Sequence, residues 1–568
     1  MSTCGNDALA LPDKTMDGLG TLTYQVTTKN PLAQKFFDQG LVLHYAFNNE
    51  QAILAFRKAA ELDPNLAMAY WGTALAITTN INVSLDLDSE CAKKAIYSIR
   101  MAQEKAELPG ISQREKALIA ALSKRYPSSI EGTQDDYQLA VNYAQAMEEV
   151  FKNYPEDADV ATLYADALMN LQPWRLWEAC KPVLSTEKIV AALESVLSRK
   201  ETKNHLGANH FYIHAVEGSC DPGRAERSAK VLRSVELFSA GHLVHMPSHI
   251  AMRTGHFEQA AADNQRAVAY DMKVYESVCD RNDVRKCLPL YVGHYIGHNL
   301  YFELAANQQL GRLETSLELA AETERHTRGY VGNEPGLEHY MVSELITRVR
   351  FRQWDKVLVM PSPDPDLLMA RAFWHWAKAM ALATTPENLP RVSVQRKRYL
   401  EAIAKVPATL NWGNNKAIAY QPLMSYLLAA QVAEHSKDRS GAKDRSGAIE
   451  LLKLAVNEED NLVYDEPNAW PLTVRETLGG AYLRGGEFSK AQEVFEEDLK
   501  RNPGSPRSLF GLWKSIEGQC KQGSAPGAKG PAGGNAPRAS CQEELKKAQQ
   551  AFNNAWKLAD VELTIDTL

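Results

Sequence analysis

With 568 residues, 45% of them hydrophobic and 23% charged, the chain is long enough for several domains or one extended repeat array with a sizeable core. A formal net charge of −7 is mildly acidic and gives no reason to expect nucleic acid as a partner. No run reaches the roughly 18 continuous apolar residues of a membrane span, so no membrane association is expected either.

Residues 1–30 carry Gly, Thr and Asn without helical periodicity and read as an extended N-terminal segment. They lack the basic-then-apolar order of a signal peptide. From Pro31 the pattern turns helical. Phe36, Phe37, Gly40, Leu43 and Phe47 form one apolar stripe, Ala52, Phe56 and Ala59 form a second, and Asp63-Pro64 ends the unit. The next helix follows at once with Ala67, Ala69, Tyr70, Trp71, Gly72 and Ala74. Another unit opens at Tyr154-Pro155 and runs through Ala161, Tyr164, Ala165 and Ala167, with Trp174 and Trp177 in an irregular link. Helices are expected at 205–218 and 222–236, then at 242–253 with a partner carrying Gly255, Phe257, Ala260 and Ala267. A long helix at 289–309 and a second to His326 complete an N-terminal array over 31–327.

Residues 328–437 read as irregular helical repeats. Gly- and Pro-rich loops at 328–337 and 359–366 precede or separate helices at 338–356, 366–384, 392–405 and 416–435. The last region, 438–568, opens with the duplication DRSGAKDRSGA (438–448), expected as a surface loop. It also holds a low-complexity segment, 523–540, expected to be a flexible insert before a capping helix. The eight cysteines are scattered with no CxxC pair, which suits reduced thiols and a soluble, cytoplasmic protein.

Small residues at Gly40, Ala52 and Ala59, set between aromatic ones, let two helices pack closely. This pattern resembles the tetratricopeptide repeat (TPR), a helix-turn-helix unit of about 34 residues. Leu478, Gly479, Tyr482, Gly486, Phe488, Ala491, Phe495 and Pro503 match it closely near the other end. The resemblance implies an all-α fold, a TPR-like helical-repeat solenoid of antiparallel helix pairs winding as a right-handed superhelix. Its first helices would line a concave groove. The runs NHFYIHAVE, AGHLVHMPSHI and YADALMNLQPW are similar to a group of bacterial tetratricopeptide proteins. That likeness covers most of residues 31–350 and implies no reaction or substrate.

Nine of the fourteen histidines fall between Asn204 and Tyr301. His210, His214 and Glu217 are spaced by four and three residues, as are His294, His298 and Tyr301, while His242, His245 and His249 are spaced by three and four. Each set occupies a stripe about 60° wide on its helix. Aligned on the repeat landmarks, all three ladders lie on first helices, which are neighbours roughly 10 Å apart. His210, His214, His242, His245, His249, His294 and His298 are therefore candidate metal ligands facing one groove. Neutral imidazole is a common ligand for zinc, copper and non-haem iron, and Glu217 would complete a two-histidine, one-carboxylate set for iron. His205 and His256 stand at helix edges and read as solvated, whereas His44, His326, His339, His375 and His435 read as core histidines satisfied by neighbours.

Pro247 admits two readings: a kink that re-aims His242 and His245 relative to His249, or a helix that starts at the proline with His242 and His245 in the approaching loop. The HExxH glutamate, a glycine-rich phosphate loop and a GxSxG elbow are all missing. The leading expectation is a solenoid with a divalent transition metal (Zn, Fe or Cu) in a histidine-rich groove that binds a small molecule or peptide. If the site is catalytic, Glu217 or a spare histidine would act as base and Tyr301 as proton donor. The alternative is a non-catalytic scaffold that holds a partner protein or peptide in the groove.

Overall fold

The computed structural model describes residues 10–78, 80–83, 89–127, 135–278, 291–436, 444–523 and 538–568. They fall into two compact units. The first comprises Met1–Ile250 with Ala262–Asn299, and the second Ala251–Ala261 with Leu300–Leu568. Among the described residues the only strands are two two-residue hairpins, so the chain is all-α, built from helix pairs.

In the first unit, Pro31–Tyr45 packs on Asn49–Leu62, Ala67–Ile77 on Glu90–Ala106, and Ala158–Met169 on Thr186–Leu197. The starts are locally encoded. Asn30 accepts hydrogen bonds from Leu32 and Ala33 N–H with Pro31 at the first helical position. Ser112 and Glu115 form a reciprocal capping box at the start of Gln113–Ser123. The described part of the N-terminal segment is extended, as expected, and it packs on the helices. Tyr24 and Val26 are buried, Thr27 N–H donates to Glu115, and Met16 N–H donates to Gln39.

One packing device recurs in both units. The Phe56 ring is fully buried, and a Cβ at Gly40 or at Gly72 would meet its carbons at 2.7 or 2.5 Å. The residue 16 positions before Phe56 and the one 16 after it are thus both glycine so that the ring can wedge between consecutive first helices. Phe495 repeats the device with Gly479 and Gly511, again 16 positions to either side. This is tetratricopeptide-type packing: the wedge on a second helix locks its own first helix to the next one.

In the second unit, Leu368–Ala383 packs on Leu389–Ile403, Tyr420–His435 on Arg445–Asp460, and Val474–Gly485 on Phe488–Arg501. The second copy of DRSGA is not loop. Asp444 caps Arg445–Asp460 by accepting from Gly447 N–H at 2.9 Å, because Asp followed by a helix-forming run is an N-cap signal. The first copy, 438–442, lies outside the described residues, as do residues 524–537 of the 523–540 insert.

The cysteines also depart from expectation. Cys180 pairs with Cys220 and Cys520 with Cys541, at Cα separations of 5.2 and 6.1 Å, and no cysteine among the described residues is free. Pairing across 40 and 21 residues leaves no local spacing signal for a reader of the sequence. It also removes the thiol argument for a cytosolic location. Among the described residues no helix is long and apolar enough to cross a membrane.

Burial gives one acid a measurable pH signature. Asp166, on Ala158–Met169, is pushed up to about 7 by desolvation, which outweighs its hydrogen bond with Asn170. A native pKa above the unfolded one means that the native state holds the extra proton. Its stability contribution is therefore whole below pH ~4 and is lost as pH rises to about 7, a change of about 4 kcal/mol. Asp166→Asn should match the native protein near pH 4 and exceed it by about 2–4 kcal/mol at pH 8 in urea unfolding. Equal stability at both pH values would refute a buried neutral carboxyl.

Candidate metal centre

The helix Leu206–Glu217 carries the first ladder. His205 caps it, its Nδ1 accepting from Ala208 N–H at 3.0 Å while Nε2 faces Asp159 Oδ1 at 3.1 Å, so it is a structural cap and not a solvated edge. Gly207 lets the helix approach Tyr45, since a Cβ there would stand 2.6 Å from the tyrosine ring. That approach lets His210 Nδ1 donate to the Tyr45 carbonyl at 2.6 Å. Tyr45 is held in turn by its hydroxyl, which donates to Asp159 Oδ1 at 2.8 Å.

The second ladder spans two short helices, Gly241–His245 and Pro247–Arg253. Pro247 does start a helix, but His242 and His245 are not in a loop: they sit on a short helix of their own before the break, which re-aims them relative to His249. Arg233 fixes the break by donating to the Pro247 carbonyl at 3.2 Å while gripping the fully buried Asp263 with Nε and Nη2. His298 lies on Gly297–Gln309, which continues a π-helical stretch, Tyr291–Ile296. The wider π turn differs from the regular helix expected there.

The three ladders converge, but in the interior and not along an open groove. His210, His214, His242, His245, His249 and Glu217 are each at most 5% exposed, and His298 is half-buried. Two trios have ligand atoms within 4.8 Å of one another: His210, His214 and His242, and then His245, His249 and His298. A third grouping, His214, Glu217 and His249, links them. His210 and His242 face each other through Nε2 at 3.2 Å, and His245 and His249 through Nε2 at 2.8 Å.

The outer nitrogens explain this orientation. His214 Nδ1 donates to Glu217 Oε1 at 2.7 Å, and His249 Nδ1 donates to Glu217 Oε2. His245 Nδ1 faces Asn264 Oδ1 at 2.6 Å. A carbonyl or carboxylate only accepts, so the proton of each such ring is on Nδ1 and a lone pair on Nε2. His214 Nε2 and His242 Nδ1 are buried without a hydrogen-bond partner among the described residues. Burial, reinforced by neighbouring histidines, holds His210, His242, His245 and His298 well below the usual imidazole range. Burial also lowers His214, against the pull of Glu217. For Glu217 burial pushes upward, but His249 and His214 together outweigh it and hold the carboxyl below the usual carboxylate range.

Phe47 covers the first trio. Its ring centroid lies 4.6, 6.0 and 5.4 Å from those of His210, His214 and His242, and its backbone is left-handed at φ 54°. Such a φ is rare for a bulky residue and concentrates at functional sites. Asn264, the Tyr45 carbonyl and Phe47 were all absent from the candidates read from the sequence. A carbonyl carries no side-chain signal, and Asn264 lies on a second helix, Phe257–Val278, away from the ladders.

Two candidates fall outside these groupings. His294 is half-buried against Tyr295 and belongs to neither trio. Tyr301 belongs to the second unit, where its ring packs on His339 and Tyr340. His44 departs from expectation: it is buried, but neither ring nitrogen has a hydrogen-bond partner among the described residues, so it is not satisfied by a neighbour. His339, His375 and His435 face Gly336 O, Gln395 Oε1 and Gln431 O, and His256 meets Thr254 Oγ1.

No protein-family model matches the chain, and no curated protein does either. Among solved structures it is similar to the human IFIT1 dimer with m7Gppp-AAAA, at 12% identity over 93% of this chain and 91% of that one, with a TM-score of 0.35. It is also similar to yeast Tom70, at 11% identity over 86% and 89% with a TM-score of 0.28. For the P58(IPK) TPR domain the figures are 12%, 87%, 99% and 0.18. The fold assignment rests on the Phe56 and Phe495 wedges and not on these likenesses.

Proposed function

We propose that the first unit is a transition-metal site built into a helical-repeat scaffold, with imidazole nitrogens as ligands. The observation that carries this reading is the pair of buried Nε2 atoms of His245 and His249, 2.8 Å apart with both Nδ1 atoms facing oxygen acceptors. Two lone pairs so placed repel unless a cation lies between or beside them. Tying the outer nitrogen of a metal-binding histidine to a carboxylate, amide or carbonyl is the usual support for such ligands. Both oxygens of Glu217 are taken up by Nδ1 donors, so the carboxylate serves as a positioning residue behind the rings, not as an iron ligand or a general base. An all-nitrogen donor set suits copper or zinc, and each ion would act as a Lewis acid or, for copper, a redox centre.

The test is metal retention. Chelator-stripped protein, reloaded separately with zinc and copper and desalted, should keep at least about one equivalent per chain and melt several degrees higher. Retention below about a tenth of an equivalent of either metal, in protein whose circular dichroism stays helical, would overturn the reading. The cluster would then be a buried polar network and the chain a binding scaffold.

A further inference from the structure

Resting on the metal reading above, we infer that the cluster is a two-ion centre, with His210, His214 and His242 holding one ion and His245, His249 and His298 the other. The ligand atoms of each trio lie within 4.8 Å of one another. Two nitrogens on one tetrahedral ion with bonds of about 2.0–2.1 Å stand roughly 3.3 Å apart. The Nε2 atoms of His210 and His242 are already at 3.2 Å, and those of His245 and His249 at 2.8 Å. Six imidazoles exceed what one tetrahedral ion accepts, and they divide three and three.

The trios are neighbours. The His214 ring stands 5.3 Å from His249, and the His242 ring 5.5 Å from His245. Glu217 spans them, one oxygen behind a ring of each trio. A single buried carboxylate that orients one ligand of each ion ties the two sites together mechanically and lends both the same negative charge. Three protein ligands leave each ion an open position, as reactive sites do and structural ones do not. The ligand class that fits two adjacent open positions is a small oxygen ligand bridging both ions: hydroxide, or dioxygen when both ions are Cu(I). Copper is the ion the donors favour, because imidazole suits it and divalent copper stands highest in the order of affinities.

Stripped full-length protein titrated anaerobically with Cu(I) should bind about two equivalents per chain. His210→Asn and His298→Asn, one in each trio, should each bind about one, with the helical circular dichroism of the native protein. After oxidation in air, the native protein should give much less Cu(II) resonance signal than its copper content, because a bridging oxygen couples adjacent ions. Either variant should recover a signal close to its full remaining content.

Several results would overturn the two-ion centre. One equivalent in native protein, lost in both variants, would mean a single site and leave the metal reading standing. Two equivalents with a full, uncoupled signal would mean two separate ions. No copper and no zinc would remove both readings. The native count and signal decide the matter even if a variant fails to fold.

Discussion

Glu217→Ala is expected to reduce metal affinity at both trios by about 10–100-fold, the usual cost of losing an outer partner of a ligating histidine. The residue is 1% exposed and receives Nδ1–H from His214 and His249. Without it two buried donors lose their acceptor, and the rings are free to turn their Nε2 lone pairs away. Stability should fall as well, by about 3–5 kcal/mol, because the loss breaks a buried charged network. Glu217→Gln should fall between, since an amide offers one acceptor oxygen but turns its NH2 towards the second ring. Chelator competition for affinity and urea titration for stability read the two effects separately. An affinity for Glu217→Ala within about twofold of native would show that the carboxylate does not support the ligands.

Phe56→Ala is expected to destabilise the first unit by about 3–5 kcal/mol, the range for truncating a buried aromatic residue. The ring is 0% exposed and fills the space left by Gly40 and Gly72. Its removal opens a cavity between two first helices and cannot be repaired by glycine neighbours, which have no side chain to move in. Phe495→Ala should cost a similar amount in the second unit, where Gly479 and Gly511 flank it. Denaturant midpoints at unchanged slope measure both. A loss below about 1 kcal/mol for Phe56 would show that the wedge is not a principal lock of the array.

Much of this architecture can be read before any coordinates. Gly40, Phe56, Gly72, Gly479 and Phe495 stand out as small and aromatic landmarks of close helix packing, whereas Gly511, the second partner of Phe495, carries no such signal until the helices are in place. Histidines spaced by three and four residues announce their common face. What stays illegible is what depends on neighbours distant in sequence. Nothing around Glu217 says whether it faces an ion or the backs of two rings. Its role follows from His249, 32 positions away on another element. Exposure is equally non-local: alignment to repeats predicts an open groove, whereas Phe47, Tyr295 and Trp174 close over the rings. The π turn at Tyr291–Ile296 and the cystine pairs leave no periodic trace at all.

The Cys180–Cys220 bridge has a practical consequence for anyone preparing this protein. Cys220 lies just past the end of Leu206–Glu217, and Cys180 sits in the hairpin whose Trp177 Nε1 donates to Ala215 O at 2.7 Å. Both contacts hold the C-terminal turn of the helix that presents His214 and Glu217. Closing a 40-residue loop is worth about 4 kcal/mol in the chain-entropy account. Material expressed in a reducing host, or kept in dithiothreitol, sacrifices that tether and slackens one edge of the imidazole cluster. The loading experiments above are therefore to be run on protein whose bridge is intact, checked beforehand by thiol titration under denaturing conditions, and a low count from such protein counts against the metal reading.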